Sequence, residues 1–515
     1  MSDRERLINE DDQERIRESP ELEDELETES QTRTFTDTGM ETETRLERTL
    51  GLFDAVGIGV GIMLGSGIFV SPGGVMANAG SFGSSIIIWV LCGVFSLLGG
   101  LCYAELGTLI PESGGDYTYC NRIFPDIIGF LRLWVEVIII RPGCHAAVAV
   151  TFAVHILQPF FPGQSVPSTP KKLIAAACIT LFSWLNMYSI RGSTMVNSYT
   201  AFAKTISLIL IIGVGIMKAA QGEIYNFMPE EFWKDSTTDF PKLCLACYSG
   251  LWSFAGWTDI VLVTEEIQNP GKNVPLSIII SCTLIIGLYC LVNLAYFTVL
   301  TRTEASAIAT AQVFIEKALP TLPGHQYIIP VLVSLACFGG VNGSLFASGR
   351  YYFVAGRNNH MPPILSMVQI HRNTPSVACF LNGLLSTAML FNDDIYSLIN
   401  YTNFIYFVCI ILAISGLAYL KITGQATGST VKVPLPILIL TLIMFSGVVL
   451  GAMVLTPYET LGGCILTLTG LPVYFIFVRP RGKLLEWREK IEPQYEKFSR
   501  FVQKLMVVVP ETKEE

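Results

Sequence analysis

Charge is what this chain has least of. Only 15% of its 515 residues are Asp, Glu, Lys or Arg, while 51% are hydrophobic. Soluble domains carry about 25% charged residues, so an ordinary water-soluble globule is excluded. Histidine is scarce as well. The five copies are scattered and form no H-E-x-x-H or similar pattern, so neither a metal centre nor a cofactor is expected. No nucleophile–base set stands out, which makes a membrane enzyme the weakest functional class. The start of the chain lacks the apolar h-region of a cleavable signal peptide. The net charge of −9 says little about nucleic acid, because it sits in one place. Residues 1–50 hold seventeen Asp/Glu and seven Lys/Arg, and the remaining 27 basic and 26 acidic residues nearly cancel. No nucleic-acid partner is expected. Cysteines outside the apolar runs are also scarce. The thirteen cysteines lie mostly in apolar runs, as small buried hydrophobes and not as a disulfide framework.

What the chain has in quantity is apolar runs of about 20 residues, each long enough to cross a bilayer as a helix. Twelve are expected, near 51–78, 83–110, 125–158, 171–190, 196–218, 242–267, 275–300, 326–355, 375–391, 398–421, 433–455 and 459–478. The fold class is therefore an all-α membrane protein embedded in the lipid bilayer. An even number of spans puts both tails on one side. The short linkers after the even-numbered spans carry Arg122, Arg191, Lys272, Arg357, Arg372, Lys432, Arg479, Arg481 and Lys483, which places those linkers and both termini in the cytosol. Residues 1–48 read as a disordered acidic tail, 49–480 as the membrane domain, and 481–515 as a cytosolic tail. In that last tail Leu484, Trp487, Ile491, Tyr495, Phe498, Phe501, Val502 and Leu505 recur at helical spacing, as in an interfacial amphipathic helix kinked near Pro493.

Two spans break the pattern. From Gly57 to Gly74 the chain reads GIGVGIMLGSGIFVSPGG, apolar enough for lipid but interrupted by Gly65-Ser66-Gly67. Glycine costs a helix about 1 kcal/mol relative to alanine, and backbone without helical bonds must find partners inside the protein. One reading is helix packing through the GxxxG steps Gly57, Gly61 and Gly65. The other is a binding site, where two half-helix ends aim partial charges at a ligand. A second interruption, Tyr248-Ser249-Gly250-Leu251-Trp252-Ser253-Phe254-Ala255-Gly256-Trp257, lies five spans later. Two such segments in corresponding positions point to an inverted-repeat transporter site. One of Trp252 and Phe254 is expected as a lid beside the break.

Intramembrane charges are costly and functional by default. Lys204 is either a lysine snorkelling to the cytosolic face or a fixed ammonium binding neighbouring spans where a transporter otherwise holds Na⁺. Glu136 and Arg141 either pair structurally, the preferred reading, or line the pathway, and Glu105 is expected to accept a structural hydrogen bond. Gly339 and Gly340 allow close approach of another helix.

GSGIFVSP at 65–72, CYAELGTLIPESGGDYTY at 102–119, Arg141-Pro142, GWTDIVLVTEEIQNPGKNVPLSI at 256–278, CFGGVNGSLFASGRYYFVAGRNNHMPPILSM at 337–367 and VVVPE at 507–511 resemble the light-chain subunits of heteromeric amino-acid transporters. These belong to the amino acid–polyamine–organocation superfamily. The resemblance runs from about residue 48 to the C-terminus. It implies a leucine-transporter-type fold, with spans 1–5 and 6–10 as inverted repeats, and Na⁺-independent obligatory exchange of amino acids. It also implies that the substrate carboxylate meets amides around Ser66, Gly67 and Ile68. The ammonium would meet carbonyls near Ile62, Met63, Trp252 and Ala255. Trp252 matches the family's gating aromatic, and Lys204 the lysine thought to replace the sodium ion.

Two departures stand out. Where the family carries the cysteine that links a single-pass glycoprotein heavy chain, this chain has Gln164. A covalent link is therefore not expected, whereas a non-covalent partner is compatible. Ala255 offers no carboxylate to a cationic side chain, which favours neutral substrates. A proton-coupled symporter using Lys204 and Glu136, and an amino-acid sensor without useful flux, are the competing functions. A plasma-membrane location is expected.

Overall fold

The computed structural model describes residues 50–509 apart from 66, 111–114, 162, 163, 165, 308, 322, 358, 371, 373, 392–394 and 481–482. The expected N-terminal tail and residues 510–515 lie outside the described residues. Helices dominate because long apolar runs satisfy their backbone internally. Among the described residues, eight helices are long and apolar enough to cross a membrane, and a bent pair makes a ninth. That pair is α1 (Leu52–Met63) and α2 (Gly67–Ala79), which meet at 53°. The remaining expected spans are helices that are shorter or less apolar. Ser168–Tyr188 carries Lys171 and Lys172, Ser376–Phe391 is short, and the 242–267 run is split into Phe240–Phe254 and the 3₁₀ segment Trp257–Glu266.

The helices that position the centre are α3 (Phe82–Leu109), α4 (Arg141–Leu157), α5 (Ile190–Ala220), α6 (Phe240–Phe254), α7 (Pro270–Val299) and α8 (His325–Arg357). One buried core joins the two bent segments to α3 and α7, through residues such as Met63, Phe69, Trp89, Phe254 and Tyr289. A second core lies on α4, Ser168–Tyr188 and α8, through Ala146, Val150, Phe182 and Leu345. Gly339 meets Thr200 of α5, and Gly340 meets Val148 of α4, so both glycines permit the expected close approach. Asn342, fully buried beside them, donates to the Ser193 carbonyl at 2.8 Å and to Asn197 Oδ1 at 2.9 Å.

Val368–Gln369 pairs antiparallel with Val508–Val509, and the long helix Lys483–Met506 holds Pro493 in its interior. Glu105 accepts from the Val433 amide at 2.7 Å and pairs with Lys421 at 2.7 Å, which makes it the expected structural acceptor. All thirteen cysteines are free thiols, and only Cys464 is exposed.

Candidate functional site

The break in the first span follows from its composition. α1 ends at Met63, Leu64 leaves the helix with ψ near 64°, and the Gly65 amide turns back to the Met63 carbonyl at 2.8 Å. Ser66 lies outside the described residues. α2 then starts at Gly67, so its first amides have no helical partner. The second break has a parallel form. α6 ends at Phe254, Ala255 is extended (φ −55°, ψ 148°), and Gly256 adopts φ +112°, which only glycine takes without strain.

The structure brings these breaks together. Ile62 packs on Gly256, where a Cβ would lie 2.5 Å from the Ile62 Cγ2. A Cβ on Gly67 would lie 2.6 Å from the Ser253 Cα and 2.9 Å from its Oγ. The glycine at 67 is therefore explained by the contact with α6, not only by room for a ligand. Ile68 is fully buried behind it. A Cβ added at Gly57 or Gly61 would meet nothing within 4 Å, and one at Gly65 would make only ordinary contacts at 3.9 Å and beyond. The GxxxG packing reading fails at these positions. The close approach instead uses Gly59, which faces Ser281 and Ile260.

A residue that sequence reasoning missed joins the two ends. Tyr289 of α7 is fully buried, and its hydroxyl reaches the Met63 carbonyl at 2.8 Å and the Ser253 carbonyl at 3.2 Å. One proton is thus shared between carbonyls at the ends of both broken helices, where the helix dipoles concentrate negative partial charge. No local signal marks this tyrosine, since its partners are 226 and 36 residues away. Tyr289→Phe keeps the ring against Trp89 and Phe254 but removes the bridge. The expected cost is about 1–2 kcal/mol of stability, readable as a lowered Tm by tryptophan fluorescence. An unchanged Tm would mean that the bridge does not hold the breaks.

The two aromatics at the second break separate cleanly. Phe254 is fully buried between Trp89 and Tyr289, at ring distances of 6.0 and 5.1 Å. It is a core residue. Trp252 is half-buried and packs on the second core, although its helix belongs to the first. Ala255 is half-buried at the end of the same helix.

Lys204 is 8% exposed, which sets aside snorkelling to a surface. No hydrogen bond or ion pair joins it to another described residue. Cys337 of α8 is its neighbouring titratable group. The structure does not bond Lys204 to either break.

Glu136 and Arg141 do pair, inside a longer network. Arg141 Nε meets Glu136 Oε1 at 2.6 Å, and Glu136 Oε2 takes Arg132 Nη1 at 2.6 Å. Arg132 Nη2 reaches Asp116 at 3.1 Å. At the other end Arg141 Nη2 reaches Asp259, just past the second break, at 3.1 Å, and the guanidinium lies 4.7 Å from the Tyr351 ring centre. Removing one partner from such a buried pair typically costs about 3–5 kcal/mol. Arg132, Asp116 and Asp259 were not legible as partners from sequence. Among the described residues no group of His, Cys, Asp and Glu has the arrangement of a metal site.

The Amino acid permease family model matches residues 50–474. The chain is 38% identical to the cystine/glutamate transporter of Homo sapiens over 450 residues, covering 86% of this chain and 87% of that protein. It is 38% identical to the large neutral amino acids transporter small subunit 2 of Mus musculus over 412 residues, covering 80% and 77%. It is 37% identical to the Asc-type amino acid transporter 1 of Mus musculus over 419 residues, covering 81% and 78%. A match over most of the chain's length, together with two broken helices meeting in one core, places this chain in the amino acid permease family.

Proposed function

We propose that this chain is a sodium-independent exchanger of L-amino acids, neutral ones in preference, working by alternating access in the plasma membrane with both termini cytosolic. The observation that carries the reading is the meeting of two broken helices, whose carbonyl ends share the Tyr289 hydroxyl while the α2 amide end begins at Gly67. An amino acid is the ligand class suited to that pair of ends. Amides at a helix N-terminus attract its carboxylate, and carbonyls at a C-terminus attract its ammonium. In this reading Ser66, Gly67 and Ile68 take the carboxylate, and carbonyls near Ile62, Met63, Trp252 and Ala255 take the ammonium. Trp252 serves as the lid because it lies between the two cores. Spans 1, 2, 6 and 7 meet in the first core and spans 3, 4 and 8 in the second, so corresponding spans of the two halves fall together, which supports two inverted five-span repeats within the twelve spans.

The proton-coupled alternative, which uses Lys204 with Glu136, loses one of its two groups. Both oxygens of Glu136 are held by guanidinium groups at 2.6 Å, so the carboxylate is not free to pass a proton. A sensor differs from an exchanger only in flux. The test is a counterflow screen of the twenty amino acids in proteoliposomes holding this chain alone. Accumulation of a labelled neutral amino acid against unlabelled internal substrate supports exchange, and binding without accumulation rejects it.

A single-pass glycoprotein heavy chain, if bound, is held without a disulfide. Gln164 is exposed, with its carbonyl accepting from Gln158 Nε2 at 3.2 Å. Most of the free cysteines are buried, and a disulfide needs Cα atoms within about 7 Å. The complex is expected to separate in SDS without reductant. Gln164→Cys should gain a dithiothreitol-sensitive band with a heavy chain bearing the matching cysteine. A reducible band formed by the wild-type chain would reject the non-covalent reading.

A further inference from the structure

We propose that Asp259 is a positioning residue that closes the transport path below the helix breaks by latching onto Arg141, a proposal that rests on the exchanger reading. The two partners sit on different parts of the molecule. Asp259 is on the 3₁₀ segment Trp257–Glu266, immediately after the Gly256 turn, whereas Arg141 begins α4. The pair therefore crosses between the broken span and the span that carries the second core.

The geometry says which partner moves. Arg141 is fixed three ways without Asp259. Its Nε is held by Glu136 at 2.6 Å, its Nη2 by the Tyr351 hydroxyl at 3.3 Å, and its plane lies over the Tyr351 ring. Among the described residues Asp259 has one side-chain bond, through Oδ1. Side-chain exposure also rises along the network, from 2% at Glu136 to 13% at Arg141 and 16% at Asp259, so water reaches this end first.

Charge makes the latch cheap to open. Asp116, Arg132, Glu136 and Arg141 already balance, with two carboxylates against two guanidiniums. Breaking a buried pair is normally expensive because it leaves an uncompensated charge behind. Here Arg141 keeps Glu136 when Asp259 departs, and Asp259 departs towards water. The Gly256 turn, with φ +112°, supplies a hinge at the root of the moving segment.

The positive-inside reading places this segment on the cytosolic side, so opening the latch favours the form that is open to the cytosol. A shift of population towards one form raises apparent affinity on that side and lowers it on the other. Asp259→Asn keeps the shape and removes the charge. In oriented proteoliposomes of the full chain, with the labelled amino acid giving the largest wild-type counterflow, the ratio of external to internal KM should rise about threefold or more, and Asp259→Glu should restore it to within about twofold. Hydrogen–deuterium exchange of 257–266 should be faster in Asp259→Asn, with 126–135 unchanged. A mere packing role would slow both directions equally and leave the KM ratio alone. That result, or unchanged exchange at 257–266, overturns the latch. Absence of counterflow in the wild type rejects the exchanger reading instead, and hydrogen exchange then decides the latch without transport.

Discussion

Gly67→Val is expected to abolish amino-acid exchange. A Cβ at this position would sit 2.6 Å from the Ser253 Cα, which is backbone and cannot rotate away. Valine adds two methyl groups beyond that Cβ. The start of α2 must then move off α6, carrying the free amides of Gly67 and Ile68 with it. Overpacking of this kind typically costs about 1–3 kcal/mol, which a large membrane domain can survive. A displacement of about 1 Å at a site can cost about a hundredfold in rate. The measurement is counterflow per folded molecule, with the folded fraction taken from size-exclusion recovery and Tm. Gly67→Ala should fall between the two. Wild-type flux in Gly67→Val would remove the first break from the site.

Lys204→Met is the second large effect. An ammonium that is 8% exposed and without a bonded partner among the described residues is costly to keep in a membrane interior. A purely structural side chain at this position would be better as methionine, which matches its stem and carries no charge. Replacement is therefore expected to leave Tm unchanged or raise it, while exchange falls by about tenfold or more. This opposite movement of stability and flux is the signature of a group kept for function. In the exchanger reading the lysine supplies a built-in cation, so wild-type flux should persist when Na⁺ is replaced by choline. Flux that needs a Na⁺ gradient, or a Lys204→Met protein with full activity, would reject the role.

The sequence by itself determined the membrane class and the places where two spans break. Both properties are local. Low charge and 20-residue apolar runs dictate lipid, and Gly65-Ser66-Gly67 or Ala255-Gly256 weakens the helix wherever the chain goes. It also marked Glu136, Arg141 and Lys204, because a charge in an apolar run is visible without knowing its partner. Only the tertiary structure decided what each of these meets. Glycine periodicity suggested contacts at Gly57 and Gly61, yet Gly59 and Gly67 make them, since the face a helix buries depends on its rotation against Ser281 and Ser253. Trp252 and Phe254 looked alike as aromatics beside a break, but two residues along a helix differ by more than half a turn, and only one faces Trp89 and Tyr289. Tyr289 gave no signal at all, and the charge of Asp259 within the 242–267 run gave no sign of its partner. A tyrosine in an apolar run is ordinary, and its hydrogen bonds to Met63 and Ser253 exist only once three distant segments share a core. Apolar patterning sets which residues leave water, but it carries no term for which buried polar group will find which partner; close packing of specific helices supplies that choice.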